Sequence, residues 1–214
     1  MNVDDFYILI PARKGSKGFP FKNRELFKYT ADIIPDNIKS ITYVSTDDPD
    51  IVDKARSKNI NVINRPKELS RDTTSMKDVL KNFIETKNIK KDKKIILLYL
   101  TYPERTWEDV EQIYEKFTTT KSKSLVCCEK IKEHPYLCLQ REQGGTAKLL
   151  IDHKLYRRQD YPECVRLSMF VSCYTVGSIE NLHDLMFDDT TYFYQLRSHK
   201  VDVDYIDQFL GIPK

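Results

Sequence analysis

Ile8-Leu9-Ile10-Pro11-Ala12-Arg13-Lys14-Gly15-Ser16-Lys17-Gly18-Phe19-Pro20-Phe21-Lys22-Asn23 reads as a buried strand that stops at a proline and passes into a cationic, glycine-bearing loop. The apolar run 6–10 is short enough for a strand, and Pro11 ends it. Gly15 and Gly18 let the backbone turn sharply and bring its N–H groups close to a ligand. Arg13, Lys14, Lys17 and Lys22 surround those donors with positive charge. Backbone donors ringed by cations suit a polyphosphate. The spacing is neither the G-x-x-x-x-G-K-[ST] of a P-loop nor the G-x-G-x-x-G of a dinucleotide fold.

Working outward, strand and helix signals alternate. Residues 41–46 form a β-branched run, and Asp48-Pro49 pairs an N-cap residue with an N1 proline ahead of Ile51, Val52 and Ala55. A short strand over 61–63 stops at Arg65-Pro66. Ser75 and Asp78 make a capping box before Met76, Val79, Leu80, Phe83 and Ile84, a helical stripe. The capping box accounts for Ser75 and Asp78 but not for Arg65. The lysine-rich stretch 88–94 reads as a solvated loop. Residues 95–100 are apolar on both faces, as in a central parallel strand. Thr106 with Asp109 caps a helix whose Trp107, Val110, Ile113, Tyr114 and Phe117 face inward. A strand follows over 124–128. Residues 133–166 break into short strands about a Gly144-Gly145 turn, as in a hairpin arm. Residues 170–174 have strand character, and Ser178 is expected to cap a last helix through Leu182, Leu185 and Met186. Only residues 24–37 resist assignment, since Pro35 and a sparse apolar pattern leave room for little more than a short helix. The alternation predicts one α/β domain over 1–214, a three-layer Rossmann-like fold around a mostly parallel sheet, with the arm as an appendage.

Near the end, Asp202 and Asp204 alternate with Val201 and Val203. In a strand the two carboxylates share a face and repel unless a cation lies between them, and a hard divalent ion such as Mg²⁺ suits oxygen ligands. The alternative is Asp204 as the N-cap of a terminal helix, with Asp202 merely exposed.

Composition limits the options. The chain has 214 residues, 40% hydrophobic and 31% charged, which fits a domain with a full core. A net charge of +3 gives no general basicity of the kind that binds nucleic acid, so the basic loop is a local feature. The five cysteines form no C-x-x-C pair and several lie in apolar runs, which suggests a reducing cytoplasm. The acidic start leading straight into a strand gives no sign of a signal peptide. No apolar run approaches the ~20 residues of a membrane helix.

The loop I-P-A-R-K-G-S-K-G-F-P-F-K-N resembles the signature of the cytidylyltransferases that activate nonulosonic acids, the CMP-sialic acid and CMP-KDO synthetases. It departs chiefly at Lys14, where glycine is usual. Val44-Ser45-Thr46-Asp47-Asp48, Arg65-Pro66-Lys67-Glu68-Leu69-Ser70-Arg71-Asp72-Thr73 and Val201-Asp202-Val203-Asp204 resemble further family segments. So does Thr101-Tyr102-Pro103-Glu104-Arg105-Thr106, although Tyr99 stands where the family has a glutamine that helps hold the sugar acid. Arg157-Arg158-Gln159-Asp160-Tyr161-Pro162 resembles R-R-Q-x-x-P, where an arginine has a motive in binding a carboxylate and a plain surface pair is the alternative.

The resemblance implies transfer of CMP from CTP to the anomeric hydroxyl of a nonulosonic sugar acid, sialic-acid-like or KDO-like, with release of pyrophosphate. It implies that Ala12, Arg13, Ser16, Lys17, Lys22, Asn23, Arg65 and Thr74 hold the nucleotide, with Arg13, Lys17 and Lys22 catalytic. Thr101, Arg105, Arg158 and Gln159 are implied at the acceptor, Asp202 and Asp204 at Mg²⁺, and the arm in a homodimer. A catalytically impaired nucleotide-binding homologue, or a nucleotidyltransferase for another sugar, remains as an alternative.

Overall fold

A computed structural model describes residues 1–16 and 18–210. Nine strands, β1 (Phe6–Pro11), β2 (Thr42–Thr46), β3 (Asn61–Asn64), β4 (Lys94–Leu97), β5 (Ser124–Lys130), β6 (Leu139–Arg141), β7 (Ala147–Leu149), β8 (Val165–Thr175) and β9 (Tyr192–Gln195), occur among the described residues. Seven of them form one sheet in the order β3-β2-β1-β4-β8-β5-β9. β1 pairs in parallel with β2 and β4, β2 with β3, and β5 with β9, whereas β8 runs antiparallel between β4 and β5. The expectation of a mostly parallel sheet holds, with β8 as the exception.

Six α-helices occur among the described residues: α1 (Lys22–Asp32), α2 (Asp36–Lys39), α3 (Pro49–Ser57), α4 (Met76–Lys87), α5 (Trp107–Thr119) and α6 (Ile206–Leu210). Alternation along β1 divides the core. Phe6, Ile8 and Ile10 pack with Leu26 and Phe27 of α1, Ile51 of α3 and Ile113 of α5, while Leu9 packs with Val79, Leu80 and Phe83 of α4. The sheet is therefore covered on both faces, giving three layers. Each fully buried Leu, Ile or Phe contributes about 1.5–3 kcal/mol of hydrophobic transfer free energy.

The expected caps form. Asp48 accepts from the Asp50 N–H, Ser75 from the Asp78 N–H, and Thr106 and Asp109 complete a reciprocal capping box. Two assignments need correction. Residues 22–32 form a helix of 11 residues where only a short one was expected; Leu26, Phe27, Thr30 and Ala31 give it a buried face. Ser178 caps no α-helix over residues 179–186. Residues 176–181 are a 3-10 turn, because the Ser178 hydroxyl donates back to the carbonyls of Thr175 and Lys123 instead of accepting from a helix N–H. The arm is present as the β6–β7 hairpin, with Gly144 and Gly145 at φ 83° and 85°. Among the described residues no helix is long and apolar enough to cross a membrane.

Candidate active site

The end of β2 holds the glycine loop in place. The Ala12 N–H donates to the Ser45 carbonyl at 2.9 Å, and the Thr46 hydroxyl donates to the Ala12 carbonyl at 2.5 Å. Two residues on, the Lys14 N–H donates to Asp47 Oδ1 at 2.8 Å. Asn23, at the start of α1, donates its side-chain amide to the Arg13 carbonyl at 2.8 Å. The loop is thus fastened at both ends, as precise placement of backbone donors requires. Ala12 itself is fully buried with both backbone groups engaged, so it shapes the loop and offers no group to a nucleotide.

A cleft of about 160 Å³ opens beside this loop. Arg13, Ser16, Lys22, Asn23, Arg65 and Thr101 line it, together with Pro11, Gly15, Met76, Tyr99 and Leu100. It lies at the carboxyl ends of β1 and β4, where ligands bind in open α/β sheets. Lys17 lies outside the described residues.

Arg65 is 5% exposed. Its Nε donates to the Ser45 hydroxyl at 3.1 Å and one terminal nitrogen to the Ser45 carbonyl at 3.0 Å. Burial lowers its pKa to about 10, with Asp47 opposing and Arg13 adding to the shift. The group stays cationic at neutral pH and is held by neutral acceptors, which favours an electron-rich ligand in the cleft. Arg13 forms an ion pair with Asp72, tying the 71–74 turn to the glycine loop. Thr74 does not line the cleft: its N–H is bonded to the Arg71 carbonyl and its hydroxyl to the Glu68 carbonyl. Met76, two residues on, takes that wall instead.

Lys22 Nζ meets Asp204 Oδ1 at 2.7 Å. Tyr102 donates its hydroxyl to Asp202 Oδ2 at 3.0 Å. Residues 201–204 belong to no strand, contrary to expectation; the Val203 N–H bonds the Thr101 carbonyl at 2.8 Å. Val203 is fully buried between the more exposed Asp202 and Asp204, which keeps both carboxylates off the core. Nor is Asp204 a helix cap, because the Gln208 side chain accepts the N–H groups of Asp204 and Tyr205.

One oxygen of each carboxylate is therefore engaged, and the other has no hydrogen bond recorded among the described residues. Among those residues no group of three or more His, Cys, Asp or Glu could hold a metal. Two carboxylates beside the glycine loop fit Mg²⁺, which is commonly bound by one or two carboxylates plus substrate phosphates and water.

The acceptor residues separate. Thr101 is at the cleft. Arg105 is not available to any ligand: it is 2% exposed, and its guanidinium donates to the carbonyls of Phe170 (2.6 Å) and Tyr99 (2.7 Å) and to the Thr30 hydroxyl (3.0 Å). Burial lowers its pKa to about 10, and it braces the fold. Arg158 and Gln159 sit exposed on the arm, outside the cleft lining.

Neither Tyr99 nor Tyr102 stands out as a site residue in the sequence, although Tyr99 replaces a glutamine of the resembled family. Burial, then the Asp202 charge, holds both phenols above the ordinary tyrosine pKa, so both remain protonated. Glu129 carries no signal in the sequence at all. This residue is 3% exposed at the end of β5 and accepts from Arg166 at 2.9 Å and from the Lys200 N–H at 3.2 Å, with His199 Nδ1 at 2.7 Å. Burial would raise its pKa, but His199, Lys200 and Arg166 together lower it. Lys130, Lys132 and Arg166 line the adjoining groove together with Glu129, Glu133 and His199.

A family model described as cytidylyltransferase matches residues 7–197. The N-acylneuraminate cytidylyltransferases of Streptococcus agalactiae serotype V (strain ATCC BAA-611 / 2603 V/R) and serotype III (strain NEM316) are each 28% identical over 220 residues. Those alignments cover 95% of this chain and 51% of the relatives, so the chain spans about half their length. A solved CMP:2-keto-3-deoxy-manno-octonic acid synthetase complexed with CTP superposes with a TM-score of 0.65 at 15% identity, over 96% of this chain and 95% of that one. A 4-diphosphocytidyl-2C-methyl-D-erythritol synthase from Anaerococcus prevotii DSM 20548 gives 0.58 at 12%, over 96% and 95%. At these identities the two structures speak for the fold.

Proposed function

This chain belongs to the cytidylyltransferase family, and on that premise we propose that it transfers CMP from CTP to the anomeric hydroxyl of a nonulosonic sugar acid, sialic-acid-like or KDO-like, releasing pyrophosphate. The observation that carries the reading is one cleft holding the glycine loop, Lys22 and Arg65, with Asp202 and Asp204 adjoining through Lys22 and the 101–103 segment. Arg13, Ser16, Lys17, Lys22 and Asn23 take the triphosphate, and Arg65 takes the base. Mg²⁺ held by Asp202 and Asp204 supplies charge neutralisation at the phosphates. Lys22 shields the charge that grows on the α-phosphate as the hydroxyl oxygen attacks, an electrostatic and positional mode of catalysis.

Pyrophosphate release from CTP and Mg²⁺ with a panel of nonulosonic acids tests this directly. CTP is expected to raise the melting temperature more than ATP or GTP does, because at equal concentration the tighter ligand stabilises the folded state more. Equal shifts would remove the cytidine preference. A second reading, nucleotide binding without transfer, is favoured by the Lys22–Asp204 ion pair and by Tyr99 in the cleft wall. CTP binding with no turnover on any acid would select it.

The reading includes a homodimer through the arm, where Leu139 (63% exposed), Leu150 (60%) and Tyr156 (88%) offer an apolar surface. Sedimentation as a monomer at micromolar concentration would remove this part. It also includes a cytoplasmic location, supported by free cysteines, of which Cys127, Cys128 and Cys173 are buried.

A further inference from the structure

The pairing of β5 with β8 slips between Val126 and Cys127, whose partners are Ser172 and Ser168. The three intervening residues of β8 bulge, and their backbone groups need other partners. Each receives one. Arg105 donates to the Phe170 carbonyl at 2.6 Å, Cys127 Sγ donates to the Val171 carbonyl at 3.2 Å, and the Met169 N–H donates to the Tyr102 hydroxyl at 3.1 Å. Tyr102 is 3% exposed, and its ring meets Phe170 edge-on at 5.5 Å. Its oxygen has one acceptor and one donor role, and the donor role goes to Asp202 Oδ2.

We propose that Tyr102 is a positioning residue for Asp202: the β8 bulge fixes its phenol oxygen, and that oxygen fixes one carboxylate oxygen of Asp202 and leaves the other for a cation. The inference rests on the proposed reading in which Asp202 serves Mg²⁺. Outer contacts of this kind set the orientation of a ligand and are worth about 10–100-fold in metal affinity. A buried ring in a fixed edge-on contact, with a main-chain donor behind it, has little freedom to follow the carboxylate. The constraint therefore acts on Asp202.

Tyr102→Phe removes one oxygen and keeps the ring packing. The experiment compares it with Asp202→Asn and with the unaltered chain, reading the Mg²⁺ concentration at half-maximal stabilisation of the CTP complex by thermal melting, and CTP binding without metal. Tyr102→Phe is expected to melt a few degrees lower, to bind CTP without metal as the unaltered chain does, and to need about tenfold more Mg²⁺. Asp202→Asn is expected to need more still. A raised requirement in Asp202→Asn beside an unchanged one in Tyr102→Phe would overturn the positioning role alone and leave the phenol a partner of the bulge. An unchanged requirement in Asp202→Asn would instead overturn the reading of the carboxylate, and the positioning role with it.

Discussion

Lys22→Ala is expected to lower turnover with CTP by roughly 10²–10³-fold, the usual cost of removing one fixed group that stabilises transition-state charge. Nucleotide affinity should fall far less. Arg13, Arg65 and the loop's backbone donors remain, and Lys22 shares its charge with Asp204 at 2.7 Å. That pair is 12% exposed on the lysine side and 62% on the aspartate side, so its loss should cost little stability, about 0–1 kcal/mol. Steady-state kinetics beside direct CTP binding checks the split. Wild-type turnover in a folded Lys22→Ala chain would remove Lys22 from the chemistry.

Asp204→Asn is the second large effect. The change keeps the side chain's shape, and the Gln208 bonds that organise the start of α6 reach the backbone N–H groups of Asp204 and Tyr205, which the substitution leaves in place. A folded protein is expected, with a raised Mg²⁺ requirement and turnover down at least about a hundredfold, since a metal ion at the phosphates supplies several kcal/mol of transition-state stabilisation. A Mg²⁺ titration of turnover decides. Normal Mg²⁺ dependence would leave Asp204 as no more than a partner of Lys22.

Where the sequence was legible, the signal was local. Asp48, Ser75 and Thr106 cap helices with their own side chains, so each helix starts where its cap stands. Gly15 and Gly18 among cations marked the loop, and at Gly18 a side-chain carbon would come within 2.7 Å of the Asp204 carbonyl. Where reading failed, the cause was distant or unsignalled. The start of α1 has no capping side chain; Phe21 turns the chain at φ 57°, a conformation its sequence does not announce. A polar residue, Thr30, fills part of its buried face and accepts from Arg105. Arg105 lies in a segment that resembles a ligand-binding motif, and the bulge of β8 and Thr30, both far from it in the chain, help turn it into a brace. Asp202 and Asp204 alternate as in a strand, yet among the described residues no strand pairs with them.

The position of β8 also orders events during synthesis. β1 to β4 each find a sheet neighbour among themselves, so that half of the sheet can pair as soon as β4 has been made. β5 cannot. Its two neighbours are β8 and β9, and both lie later in the chain. The segment Ser124–Lys130, buried over six of its seven residues in the finished fold, must wait through the whole arm, residues 131–164, before its first partner exists. Unpaired apolar strands are where nascent chains aggregate. The antiparallel strand that closes the sheet and carries the bulge behind the site is thus also the step that ends the growing chain's longest exposure of a core strand.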